Sequence, residues 1–449
     1  MNSSTCEHVV YTVSQDLVKY SSRLPSNQGR SLLVHSLANS FGVLSSSYGS
    51  LRRVEVVKPK EATNDELGAY HAQTYLDVIL HEASTDHEPT DDMLDQFGLA
   101  DDCPRFVGLP KYARLVAGAT LTAADALRFG HANISINWDG GRHHAQKSSA
   151  SGFCYVADCI LAILLLKRSQ PALSTTLLFP VDPSSTKQRK PRVMYLDLDL
   201  HFSDAVSQAF YSPGVSDIPG HVLTLSIHHA APGFFPISPL AQLPFADPST
   251  AFDPYTLSLP LLEGASNRTF AAIWPIAERV KDIFDPDYVI VQCGVDGLAG
   301  DSKYKVFNWG LSLEHEGSLG WCVSRIVNNW NGRKLFLGGG GYNGPNAARA
   351  WTYLTSIILG KPIPVSTNIP DHPSHSGFPL YAPSFTLDVP AGNMQDTNTV
   401  EYLAEVTRQF NKACEALQQR SSASTDSIGY REMKSLFSKA LRFQLHSPL

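Results

Sequence analysis

The 449-residue sequence predicts a single-domain α/β fold, with a mainly parallel, multi-stranded sheet covered by helices on both faces. Two observations predict this fold. Strand-like apolar runs alternate with helix-like segments through most of the chain, an order that favours parallel strands joined by crossover helices. In addition, polar and ionisable residues directly follow several of the strand-like runs, and parallel sheets bind ligands beyond the carboxyl ends of their strands.

The predicted elements follow from the length and spacing of the apolar residues. Short apolar runs bounded by polar or turn residues predict the strands Glu7–Val13, Asn133–Trp138, Arg192–Leu200, Val222–Ile227, Tyr288–Cys293 and Lys334–Leu337. Longer segments with helical spacing predict the helices Gly29–Phe41, Tyr112–Phe129, Ala157–Leu166, Ser266–Phe284, Gly317–Trp330, Asn346–Leu359 and Thr399–Arg420. No internal repeat and no linker divides this predicted core.

Composition limits the classes of partner and the compartment. Hydrophobic residues make up 43% of the chain and charged residues 17%, which is enough apolar sequence for a large core. The formal net charge of −6 provides no overall attraction to nucleic acid or to an anionic membrane. The seven cysteines are scattered and form no Cys-x-x-Cys pair, which predicts free thiols in a reducing compartment. The amino terminus lacks a secretory-signal pattern and the longest apolar run, Cys159–Leu166, is too short to span a bilayer, so we expect a soluble intracellular protein.

One predicted strand end carries an unusual set of ionisable groups. Residues 192–204 read Arg-Val-Met-Tyr-Leu-Asp-Leu-Asp-Leu-His-Phe-Ser-Asp. Because side chains alternate along a strand, we expect Asp197, Asp199 and His201 to project from one side of it. Three ionisable groups are costly to bury unless something pairs them, and carboxylates and imidazoles are ligands of divalent metals. The alternative is an ordinary strand end with solvated acids.

Three other predicted strands end in comparable groups. They are followed by Asp139-Gly140-Gly141-Arg142-His143-His144, by Gly294-Val295-Asp296-Gly297 and by Gly338-Gly339-Gly340-Gly341-Tyr342-Asn343. Polar residues after several strands of a parallel sheet converge in space, so the four strand ends together predict one site.

Asp199, His201 and Asp296 are the predicted metal ligands. Three protein ligands leave one position of a tetrahedral ion open to water or substrate, which is typical of a catalytic zinc site. The same ligand types also permit iron, cobalt or manganese.

His143 and His144 place two imidazoles near that open position, one as a proton shuttle and one as an electrostatic helper. Each needs a partner that fixes its tautomer, and Asp197 and Asp204 are the candidates. Adjacent histidines alone indicate little, because solvent-exposed pairs are common, and we interpret His228-His229 as such a pair.

The glycine run before Tyr342 lets the backbone approach a ligand closely. A nucleotide-binding loop is disfavoured because the Gly-x-Gly-x-x-Gly spacing is absent. Tyr342 is a candidate hydrogen-bond donor to an oxygen that gains negative charge in a tetrahedral intermediate, the alternative being a core tyrosine. Phe153 and Phe235 are candidates for the walls of a narrow apolar channel, with ordinary core packing an equal alternative.

These motifs, in their order along residues 6 to about 375, resemble those of class I histone deacetylases of the arginase/deacetylase fold. The chain looks most similar to short, fungal-type members without large additional domains. The resemblance implies a histone deacetylase catalytic domain over 6–385, followed by a C-terminal helical extension and tail over 386–449. Residues 168–191 are predicted to be a surface insertion, because this Ser-, Thr-, Pro- and Lys/Arg-containing stretch is long for a helix-to-strand connection. The resemblance rests on Asp101-Asp102-Cys103-Pro104, Gly140–His144, Ala150–Tyr155, Asp197–His201, Pro232–Pro236, Gln292–Asp296, Leu298–Asp301, Leu337–Asn343 and Ile369–Pro373.

The resemblance implies zinc-dependent removal of acetyl groups from N-acetyl-lysine side chains. Zinc would be bound by Asp199, His201 and Asp296, and a metal-bound water would attack the amide carbonyl. His144, supported by Asp204, would act as general base and then acid, with His143, paired with Asp197, as its electrostatic partner. Tyr342 would bind the carbonyl oxygen as it becomes an oxyanion. The implied catalytic residues are therefore His143, His144, Asp197, Asp204 and Tyr342.

The resemblance also implies a tunnel for the lysine side chain. Gly152, Phe153 and Phe235 would line it, Asp102 would hold the substrate backbone at its rim, and Arg30 matches the arginine of the family's internal acetate channel. The implied substrate-binding residues are Asp102, Gly152, Phe153, Phe235, Arg30, Arg142, Gly340 and Gly341. A structural potassium ion would lie behind the zinc strand, held by Asp197, Asp199, His201, Ser226 and Ile227.

Several positions depart from the family pattern. Phe202-Ser203 replaces the usual His-Gly, and Asp101 replaces an aromatic or small residue at the rim. The segment Asn308–Leu313 is longer by a couple of residues. Asp139 stands where a small residue is usual, and Arg142 replaces a tryptophan. We hypothesise that Arg142, a cation near the inner end of the tunnel, alters acyl preference or product release.

Two other functions remain open. One is an acetylpolyamine amidohydrolase on the same fold, since the acidic rim suits a polyamine as well as a basic peptide; a manganese arginase relative is disfavoured by the single histidine ligand. The other is a non-catalytic scaffold of a corepressor or chromosome-associated complex, against which the complete set of predicted catalytic residues argues. The leading prediction is an enzyme acting on acetylated lysine protein or peptide in a chromatin or corepressor complex, without direct nucleic-acid or membrane binding. Its expected location is the nucleus, with the cytoplasm as a second location.

Overall fold

Eight parallel strands form one sheet in the computed structural model of the chain, which describes residues 7–81, 89–168, 190–213, 220–245, 249, 251–301, 309–371 and 377–421. The strands are β1 (His8–Thr12), β2 (Arg53–Val57), β3 (Ile134–Asn137), β4 (Val193–Asp197), β5 (Val222–His229), β6 (Thr256–Leu261), β7 (Tyr288–Gln292) and β8 (Arg333–Leu337). Their order across the sheet is β2-β1-β3-β8-β7-β4-β5-β6, and every neighbouring pair is parallel.

The helices connect these strands and cover both faces of the sheet. They are α1 (Gln15–Ser21), α2 (Arg30–Ser40), α3 (Asn64–Leu67), α4 (Gln73–Ile79), α5 (Asp91–Gln96), α6 (Leu109–Arg128), α7 (Asp158–Lys167), α8 (Asp204–Phe210), α9 (Asn267–Phe284), α10 (Leu319–Asn329), α11 (Gly344–Ile358) and α12 (400–421).

Strand β4 shows why the sheet is buried on both faces. Met194 and Leu196 belong to the core shared with α9, α10 and α11, whereas Val193 and Tyr195 belong to the core shared with α6 and α7. Alternate side chains of one strand therefore enter two different cores. This confirms the predicted α/β architecture with helices on both faces.

The predicted strands are present, but the prediction missed two others and extended one too far. The missed strands, β2 and β6, are the two edges of the sheet. Strand β2 has several exposed residues and β6 contains Pro260, which a sheet accepts most readily at an edge, so neither has the uniform apolar pattern of a central strand. The predicted strand Arg192–Leu200 ends at Asp197 instead.

The C-terminal helix α12 packs onto the main core. Its residues Val406, Phe410, Cys414 and Leu417 are buried in the same cluster as residues of α9. Nearly all of the predicted insertion at 168–191, and the parts 302–308, 372–376 and 422–449 of other predicted segments, lie outside the described residues. The cysteines within the described residues are buried free thiols, as predicted. No described helix is both long and apolar enough to cross a bilayer.

Candidate active site

The four chemically unusual strand ends belong to four adjacent strands. β3, β8, β7 and β4 are consecutive in the middle of the sheet. Since these strands are parallel, their carboxyl ends lie side by side along one edge, and the segments that follow them meet there.

The segment after β4 is shaped by carboxylates that accept backbone N–H groups. The N–H of Asp199 donates to Asp197 Oδ1 and that of His201 to Asp199 Oδ1, each at 3.0 Å. The N–H of Leu200 donates to Asp296 Oδ1 at 3.0 Å. The N–H of Leu198 still donates to Gln292 O of β7, but these side chains take over as acceptors for the N–H groups that follow. The strand ends at Asp197, and a turn bonded by side chains, rather than a continued strand, places Asp199 and His201.

Asp199, His201 and Asp296 form a buried group of possible metal ligands. One potential ligand atom from each lies within 4.8 Å of the others. Nδ1 of His201 is 2.9 Å from Asp296 Oδ2 and 3.2 Å from Asp199 Oδ1. Both carboxylates are essentially fully buried, and two buried carboxylates facing one imidazole need positive charge. The donor set and its geometry fit a divalent ion such as zinc.

Two groups orient the Asp199 carboxylate: Gln292, which the sequence did not single out, and Gly340, which was predicted in a different role. Nε2 of Gln292 donates to Asp199 Oδ2 at 2.8 Å, and the N–H of Gly340 donates to the same oxygen at 2.7 Å. A Cβ on Gly340 would lie 2.3 Å from Asp296 Oδ2, so only glycine lets the backbone come this close. The signal for Gln292 in the sequence was a polar residue inside a buried apolar strand.

His143 and His144 each pair with a carboxylate of their own. Nδ1 of His143 lies 2.8 Å from Asp197 Oδ2, and Nδ1 of His144 lies 2.7 Å from Asp204 Oδ1. The centroids of the two imidazole rings are 3.9 Å apart, and the His144 ring is 5.9 Å from that of His201. The structure therefore brings both predicted imidazoles next to the ligand group, with the predicted partners.

The two imidazoles differ in their tendency to be charged. Burial opposes protonation of both, but the carboxylates of Asp197 and Asp199 raise the pKa of His143 to about 9. Burial and the neighbouring charge of His143 lower the pKa of His144 below its ordinary value, against the pull of Asp204. Near neutral pH this favours a protonated His143 beside a neutral His144.

Tyr342 follows the glycine run after β8. Its ring packs edge-on against that of Phe153, with centroids 5.6 Å apart. Burial and the carboxylates of Asp296 and Asp199 raise the pKa of Tyr342, so its hydroxyl remains protonated and able to donate.

The predicted tunnel residues surround His144. A Cβ on Gly152 would lie 2.4 Å from His144 Cδ2 and 2.9 Å from the Phe235 ring, so glycine is required for the imidazole and this ring to approach. The N–H of Gly152 donates to Oδ2 of the exposed Asp102 at 2.9 Å. The Phe235 ring lies 4.9 Å from that of His144 and is 41% exposed.

Comparisons with known proteins identify the family of the chain. Residues 24–358 match the histone deacetylase domain. Histone deacetylase 8 of Xenopus tropicalis is 35% identical over 404 residues, covering 89% of this chain and 96% of that protein. Histone deacetylase 8 of Danio rerio is 34% identical over 409 residues (90% and 94%), and histone deacetylase 1 of Homo sapiens is 32% identical over 385 residues (85% and 71%). This chain belongs to the histone deacetylase family. It is a class I member with the arginase/deacetylase fold, and thus an enzyme of the protein lysine deacetylase class.

Two of this deacetylase's departures from the family pattern meet in one buried network. Nε and Nη2 of Arg142 donate to the backbone oxygen of Asp139 at 3.2 and 2.8 Å. The Asp139 carboxylate lies 2.9 Å from Nε2 of His35, whose Nδ1 lies 2.9 Å from the Tyr11 hydroxyl. Burial opposes the Arg142 charge, and Asp139 is among the groups that support it. The two unusual residues are thus coupled, because one supplies a buried negative charge beside the other.

Arg30 lies next to this network. Its Nη1 donates to the backbone oxygens of Gly339 and Gly341 at 3.0 and 2.8 Å, and its guanidinium lies over the Trp351 ring. Burial and the positive charge of Arg142 lower the pKa of Arg30 to about 10. Arg30 therefore fixes the glycine run of this deacetylase.

The departure at Phe202-Ser203 has a packing explanation. The Phe202 ring is buried and lies 4.8 Å from that of His228. Ser203 precedes the first turn of α8, and its N–H donates to Ser226 Oγ at 3.4 Å. The interpretation of His228-His229 as a solvent-exposed pair is wrong: the two residues are 0% and 2% exposed, because β5 continues through them beneath Phe202 and Phe234.

Phe234, which sequence reasoning did not single out, covers a predicted metal ligand. Its ring stacks on that of His201, with centroids 5.2 Å apart and planes inclined by 12°. At the predicted potassium site, Asp197 and Ser226 are paired neighbours on β4 and β5, and Ser226 and Ile227 are fully buried. Potassium binding there stays a prediction.

Proposed function

We propose that this chain is a zinc-dependent hydrolase that removes acetyl groups from N-acetyl-lysine side chains of histones or other nuclear proteins. The observation that carries the proposal is a buried Asp-His-Asp group beside two histidines, each with its own carboxylate. Asp199, His201 and Asp296 would hold the zinc and leave a position open. When bound, zinc would supply Lewis acidity, polarising the amide carbonyl and lowering the pKa of a coordinated water.

The other residues of the site move or stabilise charge. His144, neutral and oriented by Asp204, accepts a proton from the attacking water and then donates one to the leaving lysine amine. His143, protonated and paired with Asp197, stabilises the negative charge that develops between these steps. The Tyr342 hydroxyl donates a hydrogen bond to the carbonyl oxygen as it becomes an oxyanion.

Substrate binding follows from the residues around His144. Gly152, Phe153 and Phe235 enclose the apolar part of the lysine side chain, and Asp102 at the rim accepts hydrogen bonds from the substrate backbone. Gly340 and Gly341 let the backbone approach the reacting amide. A structural potassium ion would be held by Asp197, Asp199, His201, Ser226 and Ile227.

The direct test is acetate release from an acetyl-lysine peptide by the zinc-loaded protein. We expect Tyr342→Phe to lower kcat about 10²- to 10³-fold, as removal of an oxyanion donor does in other enzymes. Tyr402→Phe is the matched control, because that hydroxyl donates to Pro260 O, on the edge strand of the sheet. If the zinc-loaded protein releases no acetate from any acetyl-lysine peptide, the proposal fails and a scaffold role is favoured.

An acetylpolyamine amidohydrolase is the competing enzyme. The exposed Asp101 and Asp102 at the rim suit a polyamine as well as a basic peptide. A higher kcat/KM for acetylspermidine than for acetyl-lysine peptides, measured in competition, would replace the first proposal with the second.

Arg142 is proposed to act on acyl choice or product release, since it places a buried cation near the inner end of the tunnel. Comparison of Arg142→Trp with the wild type across acyl-lysine peptides tests this, with an expected change in relative kcat/KM of about tenfold. An unchanged acyl profile and an unchanged rate would contradict it.

The cellular setting proposed for the chain is the nucleus, in a chromatin or corepressor complex, with a possible additional cytoplasmic pool. Comparing the acetyl-lysine proteomes of cells that carry the wild type and Tyr342→Phe tests this. Hyperacetylated sites confined to proteins outside the nucleus would contradict it.

A further inference from the structure

Asp301 is a buried carboxylate that binds the backbone of Tyr342. The N–H of Tyr342 lies 3.0 Å from Asp301 Oδ1 and 2.9 Å from Oδ2, and the N–H of Asn343 donates to Oδ2 at 3.1 Å. The residue is 2% exposed. Both oxygens of the carboxylate are therefore used on the peptide groups of the residue proposed to bind the oxyanion and of its neighbour.

The opposite side of the same loop is held by a cation. Arg30 Nη1 donates to the backbone oxygens of Gly339 and Gly341. The Asp301 carboxylate thus accepts from the N–H groups of residues 342 and 343, while the Arg30 guanidinium donates to the carbonyl groups of residues 339 and 341. Because glycines have no side chain with which to pack, hydrogen bonds of this kind must set the position of the loop.

Accepting these hydrogen bonds with a buried carboxylate costs free energy, because its negative charge is removed from water. Burial and the Asp296 carboxylate raise the pKa of Asp301 to about 7, which shows that its charge is disfavoured in this place. An asparagine would offer one acceptor oxygen, whereas the observed contacts use two. The carboxylate charge is disfavoured here, yet both of its oxygens accept hydrogen bonds from this loop. This indicates that the Tyr342 backbone needs to be held closely in place.

We propose that Asp301 is the positioning residue that sets the Tyr342 hydroxyl against the substrate carbonyl. The inference rests on the proposed function of Tyr342 as oxyanion donor. Asp301 acts only through the backbone and does not touch the substrate.

The kinetic test uses Asp301→Asn, with Asp253→Asn as the matched control. Asp253 is also buried, at 3% exposed, and accepts the N–H groups of Ser212 and Tyr255, but it lies just before the amino end of β6, away from the carboxyl ends where the site forms. We expect Asp301→Asn to lower kcat about 10- to 100-fold, because misplacement of a reacting group by less than an ångström has effects of this size. We expect KM to stay within about twofold, since ground-state binding is not removed. The control should leave both unchanged.

A double mutant separates positioning from general damage. If Asp301 works through the Tyr342 hydroxyl, Asp301→Asn should cause little further loss of kcat in a Tyr342→Phe background. Asp301→Glu, which keeps two acceptor oxygens, should recover part of the kcat lost in Asp301→Asn. Equal losses in the two backgrounds would overturn the proposal.

Hydrogen exchange tests the same contact without using activity. The amides of Tyr342 and Asn343 should exchange slowly in the wild type and faster in Asp301→Asn, with other regions unaffected. Fast exchange of these amides in the wild type would overturn the positioning role even if no variant folds. Protected amides in a wild type that hydrolyses no acetyl-lysine peptide would support the contact to Asp301 and overturn the proposed function instead.

Discussion

Two adjacent histidine pairs lie in this molecule, and they differ in the groups they face. His143 and His144 each meet a carboxylate, at 2.8 and 2.7 Å. His228 instead lies 3.0 Å from the backbone oxygen of Ala241 and 3.1 Å from Ser226 Oγ. Both pairs are buried, so burial does not distinguish them.

His228 and His143 differ in pKa because their hydrogen-bond partners differ. Burial lowers the pKa of His228 to about 4, because backbone oxygens only partly offset it. The carboxylates beside His143 overcome the same burial and raise its pKa to about 9. Carboxylate partners therefore distinguish His143 from His228, whereas His144, which also meets a carboxylate, has a lowered pKa because it is buried beside His143.

The largest expected effect is that of His144→Ala compared with His228→Ala. Loss of the proposed general base should lower kcat about 10²- to 10⁴-fold. His228→Ala should leave kcat within about twofold, because the residue hydrogen-bonds only structural groups. Steady-state kinetics of the two variants, at equal zinc content, measure the difference. Similar losses in both would contradict the distinction between the pairs.

A smaller effect is expected when only the acid partner of the proposed general base is changed. Asp204→Asn should lower kcat about 10- to 100-fold, because the amide no longer supports the charge and tautomer of His144. The same kinetic measurement is made on Gln292→Glu. This variant changes the hydrogen bond to Asp199 and leaves that to His144 intact, and it should lower the affinity for zinc. An Asp204→Asn enzyme with wild-type kcat would show that His144 does not need its carboxylate.

A third effect concerns stability and pH. His228 binds its proton more weakly in the folded state, with a pKa of about 4, than in the unfolded chain. As pH falls from about 6.5 to 4 the unfolded state takes up the proton first, so the free energy of unfolding falls by up to about 3 kcal/mol from this residue. Below that range both states are protonated and the loss stops.

Urea unfolding of the wild type and of His228→Gln across this pH range tests the stability effect. The free energy of unfolding of the variant should depend less steeply on pH. Part of the slope should remain, because burial also lowers the pKa of His71 to about 4. Identical pH dependences would mean that His228 is not held neutral by the fold.

Whether the sequence predicts an element or a site residue depends on whether its interactions are with residues near it or far from it in the chain. Central strands such as β4 and β7 were predictable because burial on both faces leaves a continuous apolar run. The edge strands β2 and β6 were missed because partial exposure or a proline weakens that run. The ligand group and the histidine pair were predictable because acids and imidazoles directly follow apolar strands.

Asp301 and Gln292 were not identified as functional because their roles depend on which distant atoms they meet. The Asp301 carboxylate contacts an N–H group 41 residues away, and the Gln292 amide contacts a carboxylate 93 residues away. No local pattern encodes these partners. The same holds for Phe234, whose stacking on His201 follows from the path of the loop after β5.

The sequence by itself determined the central strands of the sheet, the edge at which the site forms, and the residues able to bind a metal and move protons, because apolar periodicity and residue chemistry are local properties. Only the tertiary structure decided which histidine is charged and how Asp199 and His201 are turned towards each other. It alone also decided what holds the Tyr342 loop in place. These outcomes depend on burial and on hydrogen bonds between parts of the chain far apart in sequence.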